Sequence, residues 1–326
     1  MAMTRPTTIA THSGSFHADD VFGVGVLMGV FPEHTLTRTR HEPTIAQADF
    51  AVDVGGEWDV ARGRFDHHQR GFDGERPASV VNGVEQPAVS YASAGLVWTA
   101  HGAAYVQAVA QARGFELNAA AVQEVVEAID HSLVQYLDMV DTGQDAVAAG
   151  IFGLSALVAQ LNTSWIEEQG LDTVAKARLQ EERFRHAIAI VRAFLDQAIV
   201  KKIAQLRAVE IVRQAPRLLG GRVLHLSQGG MPWTRVVVEE MPEVLLVLYP
   251  DSDGQQYQLK TVPVEAGSFQ ARMDLPQAWA GLREQELAAV TGVPDSVFCH
   301  LKCFIAGARS FEGALRLAEL ALPAQE

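Results

Sequence analysis

An α/β fold is predicted, with an open, mostly parallel sheet and helices over residues 1–205 and a smaller α+β domain over residues 206–326. Strand-like and helix-like stretches alternate through the first 60 residues. The apolar strand runs there end on a His or a carboxylate, which is where sites sit in open α/β sheets. From about residue 92 the pattern becomes helical, and after Val209 short β-prone runs return.

Taken in order, Thr7-Thr8-Ile9-Ala10-Thr11 is a β-prone run ending at His12. Asp19 or Asp20 can cap a helix through about Phe31, with Val21, Val24, Leu27 and Met28 spaced for one face. His34 to Arg40 alternates around Leu36, and Phe50 to Val54 is an apolar strand followed by Gly55-Gly56. Gly23-Val24-Gly25 lacks the third glycine of a dinucleotide fingerprint. The polar stretch Gly71 to Pro87, rich in Gly, Pro and Asn, is expected to be a loop long enough for a lid.

Ala92 to Val109 reads as one helix. Asn118 caps the next, with Val122, Val125, Val126, Ile129 and Leu133 inward and Glu124, Glu127 and His131 outward. Ala146 to Leu161 is a third, and Leu171 to about Leu206 is long and charged enough to bridge two domains. The returning strands are Arg222–Leu226, Arg235–Glu239, Val244–Tyr249 and Gln255–Val262, with a last helix near Ser310.

With 326 residues and 48% hydrophobic composition, the chain can bury the cores of two domains. No window approaches the apolar length of a membrane span, and residues 1–11 lack a signal-peptide pattern, so a cytoplasmic location away from membranes is expected. Cys299 and Cys303 make neither a disulfide framework nor a convincing zinc site, and read as reduced core thiols. A net charge of −13 argues against a general polyanion binder. Charge is uneven, however: Gly114 to Ala175 holds ten Asp or Glu and no Lys or Arg. From Lys201 to Arg222, six Lys or Arg face only Glu210. That strip is either a guide for a short oligonucleotide or nucleotide, or a solvated helix face.

Four patches carry chemistry. The first, Thr11-His12-Ser13-Gly14-Ser15-Phe16-His17-Ala18-Asp19-Asp20, has a Gly-containing turn that lets His12, His17 and Asp19 converge. The second is Asp53 at the end of its strand, where an acid is costly to bury without a positive partner; its two oxygens can bridge two metals. The third is Arg64-Phe65-Asp66-His67-His68-Gln69-Arg70, in which adjacent histidines cannot point the same way from extended backbone. One can ligate while the other faces substrate, with Asp66 fixing a ring tautomer. The fourth is Asp138-Met139-Val140-Asp141-Thr142-Gly143; Asp141 reads as the ligand and Asp138 as a solvated acid. Imidazole with carboxylate suits first-row divalent ions, and two such ions can clamp an in-line displacement at phosphorus. Toward the end, Cys299 to Ala314 places small residues before a helix beside Arg309. This reads either as an anion-binding loop or as a plain helix start.

Together these stretches, with Ser93-Ala94-Gly95-Leu96-Val97 and His300 to Leu315, resemble the melanocyte-proliferating-gene-one family of the DHH phosphoesterase-like superfamily. Family members act as 3′–5′ RNA exonucleases, and the superfamily includes pyrophosphatases and nanoRNA or cyclic-dinucleotide hydrolases, usually manganese-dependent. The resemblance implies that His12, His17 and Asp19 hold one metal, Asp53 bridges, and His67 and Asp141 hold the second. Two Mn²⁺ are expected, with Mg²⁺, Co²⁺ or Zn²⁺ as alternatives. An activated water would attack phosphorus, with Asp53 and His68 catalytic and His68, Arg70, His300, Lys302 and Arg309 binding substrate. Asp20 stands where Glu is usual, Thr142 where Asn is usual and Ala306 where Gly is usual. The expected substrate is a phosphodiester, short RNA or another oligonucleotide, and a homo-oligomer is left open. The alternatives are a small-molecule phosphodiesterase or pyrophosphatase, and a non-catalytic metal-binding regulatory protein.

Overall fold

Strand β1 (Thr7–Thr11) pairs in parallel with β2 (His34–Arg38) on one side and β3 (Phe50–Val52) on the other. The computed structural model describes residues 5–81, 84–144 and 153–323. They form two compact units that divide between Lys202 and Ile203.

In the first unit, helix α1 (Ala18–Val30) joins β1 to β2, and α2 (Glu42–Gln47) leads into β3. Two short strands follow, β4 (Trp58–Asp59) and β5 (Arg64–Phe65). The sheet order is β2-β1-β3-β5-β4, parallel except for the antiparallel edge strand β4. Because β1, β3 and β5 run the same way in adjacent register, His12, Asp53 and Asp66 all leave the sheet at one edge. Helix α1 is buried along most of its length, and a Cβ on Gly23 would lie 2.9 Å from Val52, so that glycine serves close packing.

The expected loop at 71–87 contains short strands instead: β6 (Glu75–Arg76), β7 (Ser79–Val81) and β8 (Val84–Gln86). β6 pairs with β9 (Val89–Ser90), and buried Arg76 anchors the segment by bonding Asp130 and Asp138. A buried, doubly paired guanidinium does not suit a free lid. Helix α3 (Ser93–Ala112) follows, then α4 (Ala119–Ile129), which Asn118 caps by accepting from the Ala121 amide at 2.8 Å. A π-helical turn, Asp130–Val134, separates α4 from α5 (Gln135–Asp141).

That turn corrects the reading of Asp138. Wider winding changes which face of the following helix points inward, and Asp138 is fully buried rather than solvated. Part of the expected helix Ala146–Leu161 lies outside the described residues; α6 (Leu154–Ala159) is the described portion. Helix α7 (Thr173–Gln214) is the long charged helix.

The second unit carries the sheet β10-β11-β12-β13-β15-β14, built from Arg217–Leu218, Val223–His225, Leu246–Pro250, Tyr257–Thr261, Ile305–Ala308 and Ser296–Cys299 respectively. Alternate residues face opposite sides. Leu246, Leu248 and Leu259 pack with α9 (Glu284–Thr291) and α10 (Phe311–Ala321), while Leu224, Val247 and Val262 pack with α8 (Thr234–Glu240) and Val212. The expected strand Arg235–Glu239 is therefore a helix. Trp233, Val236, Val237 and Met241 are all buried, at helical spacing, and that stripe overrides the β-branched run. Among the described residues no helix is long and apolar enough to cross a membrane.

Candidate metal centre

The loop from β1 to α1 is held from outside. Gly14 turns the chain at φ 96°, a left-handed conformation suited to glycine. The Asn162 side chain accepts from the Phe16 amide at 2.9 Å and donates to its carbonyl at 2.8 Å. Arg38 donates to the Gly14 carbonyl at 2.6 Å and lies over the Phe184 ring, 4.5 Å from its centroid. Asp20, not Asp19, completes the cap of α1 by accepting from the His17 amide at 2.7 Å. Asn162→Ala is expected to weaken Mn²⁺ binding roughly 10-fold or more, the usual consequence of freeing a ligand-bearing segment. Calorimetric titration checks this.

Asp53 adopts φ 55°, unusual for a residue with a side chain though tolerated best by Asp and Asn. An outlier of this kind at a strand end points to a functional constraint. His12 Nε2 lies 3.4 Å from Asp53 Oδ2 and 3.4 Å from Asp20 Oδ2. Among the described residues, the buried His12 Nε2 and Asp20 Oδ2 have no hydrogen-bond partner. Burial pushes the Asp53 carboxyl up, but His12 and His68 outweigh it and hold the group well below the usual range.

The adjacent histidines do not diverge as expected: their ring centroids lie 4.0 Å apart and both Nδ1 atoms approach Asp53 Oδ1, at 3.8 Å for His67 and 3.2 Å for His68, although their other partners differ. His67 Nε2 lies 3.2 Å from Asp141 Oδ2, and its Nδ1 lies 3.2 Å from Ser93 Oγ. The His68 side chain is 63% exposed and lines the cavity, with Nδ1 2.9 Å from Asp66 Oδ1 and 3.2 Å from Asp53 Oδ1. Hydrogen bonding to Asp53 pushes its pKa up to about 9, against burial and with help from Asp66. Asp66 also accepts from the Gly56 amide at 2.7 Å, which fixes the carboxylate that orients His68.

Asp19 comes from α1 to the start of α3, where its carboxylate accepts from the Ser93 and Ala94 amides. Asp138 accepts from the next amide, Gly95, at 3.0 Å. A Cβ on Gly95 would lie 2.0 Å from Asp138 Oδ2, which accounts for a glycine in this helix start. Burial raises the Asp19 carboxyl well above its ordinary value, and Asp53, Asp141 and Asp138 add repulsion.

Donor atoms converge in three groups: His12, His17 and Asp53; Asp19, His67 and Asp141; and Asp53, Asp66, His67 and His68. Asp19 thus groups with His67 and Asp141, whereas the resemblance put it with His12 and His17. The residues fit divalent ions. Buried carboxylates repel one another here, a buried imidazole nitrogen and a buried carboxylate oxygen lack partners, and the nitrogen and oxygen donors suit first-row metals. All of these residues but His67 line a cavity of about 910 Å³, also lined by Arg40, Ser155 and Ala156.

Arg70 is exposed and does not line this cavity. In the second unit, His300 Nδ1 accepts from the Lys302 amide at 3.1 Å, and Lys302 is exposed. Arg309 is paired with Glu284 at 2.6 Å. The small-residue stretch there is strand β15, and Asp295 and Ser310 cap α10: Asp295 accepts from the Ser310 amide and Ser310 from the Gly313 amide. The plain helix start is therefore what forms, because a carboxylate of the chain already occupies the anion's place. Sequence reading missed Arg40, Asn162, Arg38 and Ser93 as parts of the first-unit site. Only the Ser93-Ala94-Gly95 resemblance signalled any of them.

An α/β protein with a candidate divalent-metal centre at its strand ends is the class that this geometry defines. The family model MYG1_exonuc, described as "Uncharacterised protein family (UPF0160)", matches residues 8–322, and the chain belongs to that family. It is 32% identical to the MYG1 exonuclease of Mus musculus, over 98% of this chain and 86% of that relative. It is 31% identical to the MYG1 exonuclease of Homo sapiens, over 98% and 87%. With the MYG1 protein of Dictyostelium discoideum it shares 29% identity over 95% of each chain. A crystal structure of exonuclease RecJ bound to manganese aligns with 98% of this chain and 91% of that one, at 14% identity. Its TM-score of 0.28 is too low for its arrangement to be carried over.

Proposed function

We propose that this chain is a metal-dependent hydrolase that shortens RNA or other short oligonucleotides from the 3′ end. The observation that carries this reading is the convergence of three His and Asp donor groups on one cavity, two of them sharing Asp53. Relatives that bear the name exonuclease support it. His12, His17 and Asp53 would hold one ion, and Asp19, His67 and Asp141 a second, with Mn²⁺ the first candidate. When bound, such ions supply Lewis acidity toward a phosphoryl oxygen and make water a stronger nucleophile.

The chain's own residues do the rest. Asp66 and Asp53 engage His68 Nδ1, so the opposite edge of the ring faces the cavity, where its charge can stabilise a phosphoryl oxygen. The α3 amides hold the Asp19 carboxylate, so it enters the site already oriented. His68→Ala is expected to keep the thermal stabilisation by Mn²⁺ and lose turnover, whereas His67→Ala loses both. Equal loss of stabilisation in the two variants would refute that division.

The structure changes the reading of the basic strip. Arg213 pairs with Glu240 at 2.6 Å, Arg217 pairs with Glu243, and Lys202 lies 3.2 Å from Glu124. Three of the six basic residues of the strip are thus compensated by acids distant in sequence, which favours short substrates over long ones. Replacing Arg213, Arg217 and Arg222 with Gln is therefore expected to change KM for a long RNA less than twofold and leave its salt dependence intact. A steep rise in KM would restore the strip as a phosphate track.

The test of the function is turnover by Mn²⁺-loaded protein on RNA of several lengths labelled at either end, dinucleotides and pyrophosphate. Loss of label from the 3′ end first, fastest on short RNA, supports the reading. Hydrolysis of pyrophosphate alone would move the small-molecule alternative ahead, and bound metal without turnover the regulatory one.

A further inference from the structure

A second cavity, of about 530 Å³, abuts the first, and the two share Arg40, Val54 and Gly55 in their walls. Arg62, Arg64, Glu42 and Glu57 also line it. Arg62 and Glu57 are paired with each other. Arg64 is different: it is only 7% exposed, and its terminal nitrogens donate to the carbonyls of Ala46, Ala48, Asp49 and Gly63. Among the described residues no carboxylate forms an ion pair with it. Carbonyl dipoles hold a buried guanidinium in place without cancelling its charge, and an anion nearby relieves that cost.

Arg40 stands on the shared wall, exposed and in no ion pair among the described residues. Its Nη2 lies 3.4 Å from His12 Nδ1, which puts the guanidinium where the two cavities meet. An exposed guanidinium fork on both cavity walls suits a ligand with paired oxygens.

We propose that the second cavity is a subsite for a phosphate adjoining the scissile one, gripped by Arg40 and favoured by the buried charge of Arg64. Resting on the function proposed above, this makes the preferred substrate class a phosphodiester that carries a neighbouring phosphate. The first cavity, lined by Asp19, Asp53 and Asp141, repels phosphate when no ion is bound, so the two sites can be told apart.

Two measurements test this with the full chain. In metal-free protein, inorganic phosphate titrated calorimetrically should bind the wild type, and Arg40→Gln should weaken that binding about 10-fold or more. In Mn²⁺-loaded protein, a dinucleotide with a terminal 5′-phosphate should show a KM about 10-fold below that of the same dinucleotide without it. Arg40→Gln should bring that ratio close to one. Equal KM values in the wild type, or a ratio that survives in Arg40→Gln, would overturn the subsite. Failure of both dinucleotides to react would count against the hydrolase reading alone. The subsite would then be decided by the phosphate titration: loss of binding in Arg40→Gln supports it, and equal binding in both proteins overturns it.

Discussion

Mn²⁺ at a hundredfold excess over its Kd is expected to raise the melting temperature of the wild-type protein by roughly 5–10 °C, and Asp53→Asn is expected to remove at least half of the rise. An ion bound only by the native state at that excess adds about 2.7 kcal/mol. A unit of 150–250 residues converts each kcal/mol into about 2–4 °C. Asn is the informative substitution because it matches Asp in shape and tolerates the φ of 55° found here, so the backbone keeps its conformation. What it removes is the negative charge that two of the three donor groups share. Turnover should fall by at least ~10²-fold, since lesser outer partners of a metal already cost 10–100-fold. Thermal unfolding with Mn²⁺ and with a chelator, beside elemental analysis of the desalted protein, makes the comparison. An equal rise in both proteins would remove Asp53 from the centre of the site.

Arg76→Met is expected to cost about 3–5 kcal/mol of unfolding free energy at pH 8, because it strands a buried carboxylate. Arg76 donates to Asp138, which is fully buried, and to Asp130 through two contacts of 2.7 Å. Burial already pushes the Asp138 carboxyl up to about 7, with Arg76 pulling the other way. Without the guanidinium it rises further. An acid whose folded pKa exceeds its unfolded value, about 3.9, binds more protons when folded, so stability falls as pH rises between those values. The variant's deficit should therefore shrink at pH 5.5 and be largest at pH 8. Urea unfolding at the two pH values decides the matter. A deficit below about 1 kcal/mol, or one that grows in acid, would mean that Asp138 is not held by this pair.

Much of the site was legible along the chain. His12, His17, Asp19, Asp53, His67, His68 and Asp141 stand in short patches of residue types that have few structural uses together at strand ends. Parallel pairing of β1, β3 and β5 brings the first three patches to one edge. The cap at Asn118 was legible for the same reason: a cap acts within three residues, so its signal is local.

Whatever depended on partners far along the chain was not legible there. Asp138 reads as solvated until a π-turn rotates it inward and Arg76 arrives from 62 residues away. Arg213 and Arg217 read as free charge until Glu240 and Glu243 fold against them. Arg235–Glu239 reads as a strand from its Val run alone, whereas Trp233 and Met241 complete a helical stripe. Arg40 carries no motif, and acquires meaning only from the two cavities that meet at its side chain. Candidate ligands and local caps are properties of residues and short spacings, so the sequence alone marked them out. The grouping of Asp19 with His67 and Asp141, the ion pairs of Lys202, Arg213 and Arg217 and the cation between the cavities are sums over distant charges, and these exist only once the chain has folded.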